Sequence, residues 1–374
     1  MAGTAVTKYY ERMSLALFTT CRHRFLLLVL FSTVFFGVAP LSPSSAQAQS
    51  LIPVDTVRRF FCDAQTHRVY RSKNETKYKK IPRKKARALI KTFRKRRKST
   101  SSPVVRNRLQ IRIRGMRDCL RGDIPSACSA VSSNLVSSSN RIVNGYVCDK
   151  DNSPVVLLLL NTDEEPNFGV CSGSIIQNSP LIILTAAHCL FPSSSANITS
   201  VTAVIGGESF STTALTQHPE YNPEVTSSYA DIAILEFDAT TTIPSLRGFS
   251  DSEEIKSPIR HVAAGYGNTT PGVPPSGLDG DLRATDIRVI ESSESAVISD
   301  TTSKTGGICT GDSGGPLLIA LDSGEWRIVG VSSYLLRPTF DSALCAADNI
   351  NVYSSTTFAE HLTFIRQFVP DFGS

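Results

Sequence analysis

The chain has 374 residues, a formal net charge of +6 and nine cysteines. It contains no Cys-x-x-Cys pair and no Cys/His cluster, which argues against a cysteine-ligated metal site. Beyond Phe25 to Val38 no apolar run approaches a membrane-spanning length.

Phe25 to Val38 follows Arg22 and Arg24 and leads into Ala46-Gln47-Ala48. A short apolar run after positive charge, ending in a small-x-small site, reads as a signal peptide over 1–48, with a retained anchor as the alternative. Export to an oxidising compartment agrees with the eight cysteines left after Cys21. The expected location is therefore extracellular, or periplasmic in a bacterium. Asn74, Asn197 and Asn268 each open an Asn-x-Thr triplet, a glycosylation acceptor only in a eukaryotic host.

The net charge conceals two opposed halves. Residues 49–141 hold 25 Lys+Arg against 5 Asp+Glu, and residues 142–374 hold 10 against 27. Within the basic pro-segment, Arg83 to Lys98 carries Ala86, Leu89, Ile90 and Phe93 at the spacing of one helix face. The segment is expected to be partly helical or disordered. Three roles stay open for it: docking on the acidic half by charge complementarity, binding an anionic surface, or serving as a solvated, disposable leader. The run shows no aromatic interleaving of the kind that stacks bases, which weakens a nucleic-acid role. Ser129 to Asn140 reads as a flexible serine-rich linker that leaves Arg141 accessible.

From residue 142 onward short strand-like runs alternate with turn residues: 155–160, 181–184, 201–205, 232–235, 287–290, 317–320 and 327–331. Such a series indicates an all-β barrel or sandwich. Near the end Phe358, Leu362, Ile365 and Phe368 recur at helical spacing, which predicts a C-terminal helix.

Four words stand out in this half: Arg141-Ile142-Val143-Asn144-Gly145, Leu184-Thr185-Ala186-Ala187-His188-Cys189, Asp231-Ile232-Ala233-Ile234-Leu235 and Gly311-Asp312-Ser313-Gly314-Gly315-Pro316. They supply a base, a carboxylate and a nucleophile in the order His, Asp, Ser. A serine hydroxyl needs such a neighbouring base to attack a carbonyl at neutral pH. Together the words resemble the chymotrypsin-like serine peptidases, and the resemblance covers residues 142–374.

The resemblance implies two six-stranded antiparallel barrels with a boundary within 243–260 and the site in the crevice between them. It implies His188, Asp231 and Ser313 as the triad, and the N–H groups of Gly311 and Ser313 as the oxyanion donors. It also implies activation by cleavage after Arg141, the freed Ile142 ammonium pairing with Asp312. Disulfides Cys171–Cys189 and Cys309–Cys345 follow from it as well. Cys62, Cys119, Cys128 and Cys148 remain, with a bond from Cys148 to Cys128 or Cys119 tying the pro-segment to the peptidase.

The primary specificity pocket is placed at Gly307, Ser333, Tyr334, Leu335 and Asn351, and Ser333 is expected to hydrogen-bond near Asp231. Gly307 stands where trypsin-like members carry an aspartate, so a buried substrate cation would lack its counter-ion. Leu335 stands where a glycine would leave the pocket open. Small or medium apolar residues are therefore favoured, and a separate trypsin-like peptidase is expected to cut at Arg141. The chain reads as a monomer acting on proteins or peptides without metal or cofactor. His67, His218, His261 and His361 read as surface or structural. Two alternatives stand beside this reading: a non-catalytic homologue acting as a binding module, and a basic arm regulated by the peptidase.

Overall fold

The computed structural model describes residues 51–53, 60–63, 68–74, 77–121, 127–132, 135–137, 145–163, 168–191, 197–225, 230–249, 260–268, 280–300, 307–321, 325–336 and 349–374. The signal region, Arg141, Ile142 and Cys345 lie outside the described residues. No described helix is long and apolar enough to cross a membrane.

The basic segment folds around a core of its own. Strands β1 (Leu51–Pro53), β2 (Phe60–Asp63), β3 (Arg68–Asn74) and β4 (Lys77–Lys80) form an antiparallel meander. Helices α1 (Arg83–Ser99) and α2 (Pro103–Arg121) follow. The expected apolar face of α1 is present: Ala86 and Ile90 are buried, with Leu89 and Phe93 packed alongside. On α2, Leu109, Ile113 and Met116 are buried at i, i+4 and i+7, the helical repeat of a core-facing stripe.

Cys62 bonds Cys119 across 57 residues and joins β2 to α2. Phe60 and Phe93 meet edge to face at 5.8 Å, and the Arg112 guanidinium lies over both rings. This hydrophobic cluster is small, and a core of that size gains most from a covalent staple. The sheet was not foreseen, because its short strands carry charge outward: Arg68, Arg71, Lys79 and Lys80 are exposed while Val69 is buried.

The serine-rich stretch departs from the expected linker in its described part. Ala127–Ala130 makes a 3-10 turn whose Ala127, Cys128 and Ala130, with Val131 after it, are buried in the main core. Cys128 bonds Cys148, and β5 (Leu135–Ser137) pairs with β6 (Tyr146–Cys148). Small residues and a disulfide let this serine-rich chain pack where composition alone suggested solvent.

The remaining strands build two sheets. The first contains β7 (Val155–Thr162), β8 (Phe168–Asn178), β9 (Leu181–Thr185), β10 (Ile198–Ile205), β11 (Glu208–Ser211), β12 (Ala214–Gln217) and β13 (Ala233–Phe237), in the order β11-β10-β7-β8-β9-β13-β12. Only Thr212 and Thr213 separate β11 from β12. One bent stretch therefore pairs with β10 at its start and β13 at its end, which completes a six-membered ring through the backbone.

The second sheet contains β14 (Arg247–Gly248), β15 (His261–Gly265), β16 (Arg283–Ser292), β17 (Ala296–Asp300), β18 (Pro316–Ala320), β19 (Trp326–Leu336) and β20 (Ile350–Ser355). Its path β15-β18-β19-β20-β17-β16 closes through β15–β16 pairing, giving a six-stranded barrel, with β6 and β5 added beside β16. Arg247 and Gly248 pair with β19 of this barrel. Helix α3 (Ala359–Arg366) closes the chain and buries His361, Leu362, Phe364 and Ile365.

Every strand-like run named from the sequence lies in or overlaps a strand. Leu181–Thr185 is buried at every position, whereas β10 buries Val201, Ala203 and Ile205 in alternation with partly exposed neighbours.

Candidate active site

Three segments carry the chemistry-bearing side chains, two on the first sheet and one on the second. His188 lies in the 3-10 turn Ala187–Leu190 just after β9, where Cys189 bonds Cys171 of β8. Asp231 lies just before β13, the neighbour of β9. Strand pairing thus brings the two together across 43 residues. His188 Nδ1 and Asp231 Oδ2 are 2.7 Å apart, and the His188 backbone N–H donates to Asp231 Oδ1 at 2.8 Å.

Ser333 Oγ, on β19 of the other barrel, donates to Asp231 Oδ2, as expected from the sequence. Burial pulls the Asp231 carboxyl upward, but the hydrogen bonds and charge of His188 and the Ser333 hydroxyl outweigh it and hold Asp231 below its usual range.

Ser313 lies in the turn before β18 and is partly exposed while its neighbours are buried. Its carbonyl accepts the Ser172 N–H at 2.7 Å, bridging the two barrels. Gly314 donates its N–H to Ser332 O at 2.8 Å. With φ at 81°, and a Cβ that would overlap Thr185 Oγ1 and Ser172 O, this position admits only glycine. Among the described residues, neither the Gly311 nor the Ser313 N–H has a protein acceptor, and no side-chain hydrogen bond joins Ser313 to His188. Such bonds commonly tighten only when substrate is bound.

Asp312 is 1% exposed. Its carboxylate accepts the N–H groups of Gly267 at 2.8 Å and Cys309 at 2.8 Å. Burial pushes its pKa up to about 6, partly offset by those two donors and the Arg283 charge. A Cβ on Gly267 would overlap the carboxylate, so the glycine makes room for it.

Of the residues expected to line the specificity pocket, Gly307 is buried, and Leu335 packs against an apolar cluster of the second barrel that includes Ile308, Val297 and Tyr353. Tyr334 is half-buried. Asn351 had no assigned partner in the sequence. Its oxygen accepts from Ile308 N–H at 3.2 Å and its amide donates to Ser299 Oγ at 3.0 Å, so its polar ends tie residue 308 to β17.

Ser172 is the residue the sequence reading missed. Its hydroxyl donates to Gly311 O at 2.8 Å and accepts from Tyr266 N–H at 3.0 Å, bracing the Gly311 turn. Its position directly after Cys171 was the available signal.

His218, His261 and His361 are all buried, which settles them as structural rather than surface. Burial pushes His361 down to about 4. Asn268 is also buried, which leaves no room for a glycan there. Asn197 is exposed, but its amide is held by Asp163 at 3.0 Å.

Among the described residues one group brings three possible metal ligands together: Cys171, His188 and Cys189. Its two sulfurs are joined as a disulfide and offer no thiolate. Cys309 is also disulfide-bonded.

A family model described as Trypsin matches residues 142–356. Granzyme M of Homo sapiens is 29% identical over 202 residues, covering 48% of this chain and 75% of that protein. CLIP domain-containing serine protease B4 of Anopheles gambiae is 28% identical over 268 residues, 62% of this chain and 71% of its own length. A solved structure of HL collagenase aligns with 61% of this chain and 99% of that one, at 22% identity and a TM-score of 0.48.

Proposed function

The chain belongs to the trypsin family and is a serine endopeptidase, and from that premise we propose that it is a secreted zymogen, activated by cleavage after Arg141, that cuts after small or medium apolar residues. The observation that carries the catalytic assignment is the two-point clasp of Asp231 on His188, at 2.7 and 2.8 Å. It fixes the imidazole with Nδ1 toward the carboxylate, leaving Nε2 to serve as base.

The proposed reaction runs in two halves. Ser313 Oγ attacks the scissile carbonyl carbon while His188 Nε2 takes its proton. The oxyanion forms where the Gly311 and Ser313 N–H groups await an acceptor. His188 then gives the proton to the leaving amine as the C–N bond breaks, and an acyl ester on Ser313 remains. Water attacks that ester, His188 takes the water's proton and returns it to Ser313, and the acid product leaves. Asp231 stabilises the transient imidazolium.

Activation works through Asp312. In the described chain its buried carboxylate has backbone donors but no adjacent formal cation other than the influence of Arg283. A buried carboxylate calls for a paired charge, and the Ile142 ammonium released by cleavage would supply one, ordering the Gly311 turn. Gly307 puts no counter-ion where a substrate Lys or Arg would reach, and Leu335 fills space beside it. Protein substrates and an activating peptidase with basic specificity follow as partners, and three described disulfides fit an oxidising, extracellular setting.

The test is covalent labelling. Full chain cut after Arg141 should incorporate an organophosphate serine-peptidase reagent at Ser313, and uncut chain should react far more slowly. Equal labelling before and after the cut, or labelling unaffected by Ser313→Ala, would remove the zymogen reading.

A further inference from the structure

Helix α1 carries ten Lys+Arg and no Asp or Glu over 17 residues. Their placement is not uniform. At 100° per residue, Arg83, Arg94, Arg87, Lys98, Lys91, Lys84 and Lys95 fall within an arc of about 120°, and all seven are exposed. No other residue type falls in that arc. The adjoining arc on the Arg83 side holds Ala86, Ile90 and Phe93, committed to the core with Ile113 and Met116. The result is a continuous cationic stripe running about 24 Å, the length of the helix, with about one charge every 3–4 Å.

Among the described residues none of the seven has an acidic partner; Arg83 donates to the Leu120 carbonyl at 3.4 Å. Among the described residues no ion pair joins α1 to the acidic peptidase half. So many like charges on one helix face repel one another. The fold tolerates them through the Cys62–Cys119 clamp and the core beneath.

We propose that this stripe is a docking surface for a linear sulfated polysaccharide. A straight row of cations suits a linear polyanion. Its charge density suits a polymer bearing several sulfates per repeat better than one bearing a single carboxylate. The stripe holds no aromatic side chain on which a base would stack and no Asn or Gln to read a base edge. A lipid surface fits poorly, because the apolar arc of α1 is buried in the core and nothing flanking the stripe inserts into a bilayer. The inference does not depend on the catalytic reading, since the stripe lies outside the peptidase residues.

The test uses the full chain with Ser313→Ala, titrated against fluorescent dextran sulfate, with unsulfated dextran, an oligo-dT strand and phosphatidylserine vesicles as comparison arms. Tight, salt-sensitive binding to dextran sulfate alone is expected, falling about 10³-fold or more between 50 and 200 mM salt when six or more charges engage. The double substitution Arg87→Gln/Lys91→Gln keeps helix propensity and should lower the logarithmic salt slope by roughly 1.5. Lys85→Gln/Arg96→Gln removes the same charge from the same helix outside the stripe and should leave the slope nearly unchanged. Circular dichroism and an intact Cys62–Cys119 bond confirm folding of both variants. Absence of binding at 50 mM salt, equal effects of the two pairs, or tighter binding to the oligonucleotide or the vesicles would each overturn the proposal.

Discussion

At the residue scale the site depends on two carboxylates with opposite tuning. Asp231 is held ionised by His188 and Ser333 despite its burial. Removing one donor to a charged acceptor costs about 1.5–3 kcal/mol, so Ser333→Ala should lower kcat/KM by roughly 10- to 100-fold. The acid limb of the pH profile should also move upward as Asp231 loses a proton-repelling partner. An unchanged profile with an unchanged rate would show that the Ser333 bond is decorative.

Asp312 is tuned the other way, with burial raising it from 3.8 to about 6. A raised acid binds more protons folded than unfolded, so its contribution favours the fold below pH 3.8 and is lost as pH rises to about 6. The loss is about 3 kcal/mol at most. Uncut Ser313→Ala chain should therefore lose stability against denaturant between pH 4 and 6.5 relative to the same chain cut after Arg141, in which the Ile142 ammonium pairs with the carboxylate. Parallel pH curves for the two forms would contradict that pairing.

At the element scale, what the sequence disclosed depended on how self-contained each signal was. The runs 155–160, 181–184 and 317–320 are apolar enough that burial leaves them no alternative, and each is a strand. The α1 stripe of Ala86, Leu89, Ile90 and Phe93 was legible for the same reason. His188, Asp231 and Ser313 could be named as candidates because their words stand in order, the Asp231 word being weak on its own. Ser172 and Gly267 were not, because their roles arise only when Cys171 and the Gly265–Asn268 turn are brought against Gly311 and Asp312.

The sheet β1–β4 was hidden by its charged outer face and by its dependence on the long-range Cys62–Cys119 bond. Closing a loop of 57 residues removes unfolded-chain entropy amounting to about 4 kcal/mol in the chain-entropy picture. Replacing both cysteines with serine should melt α1, α2 and the sheet while the two barrels stay folded. Loss of helix signal at 222 nm with retained barrel melting, followed by circular dichroism, is the expected result. Joint collapse of both parts would show that the basic segment is not a separate cooperative unit.

At the scale of the whole molecule, the basic segment is built to stay. Cys128 bonds Cys148 across Arg141, and residues 127–131 contribute to the main core. Cleavage at Arg141 would therefore leave two polypeptides covalently joined, with the cationic helix still attached to the peptidase. Under the two proposals above, an acidic catalytic body would be carried by a basic module that recognises a different class of molecule.

The most direct measurement of the central claim is hydrolysis of a peptide panel varied before the scissile bond, using chain cleaved after Arg141, freed of the activating peptidase, with Ser313→Ala as control. The account predicts turnover of peptides with Ala, Val or Leu at that position, little turnover after Arg or Lys, and none in the Ser313→Ala chain. Hydrolysis that persists in Ser313→Ala, or no turnover from a chain whose new N-terminus is confirmed as Ile142, would contradict it.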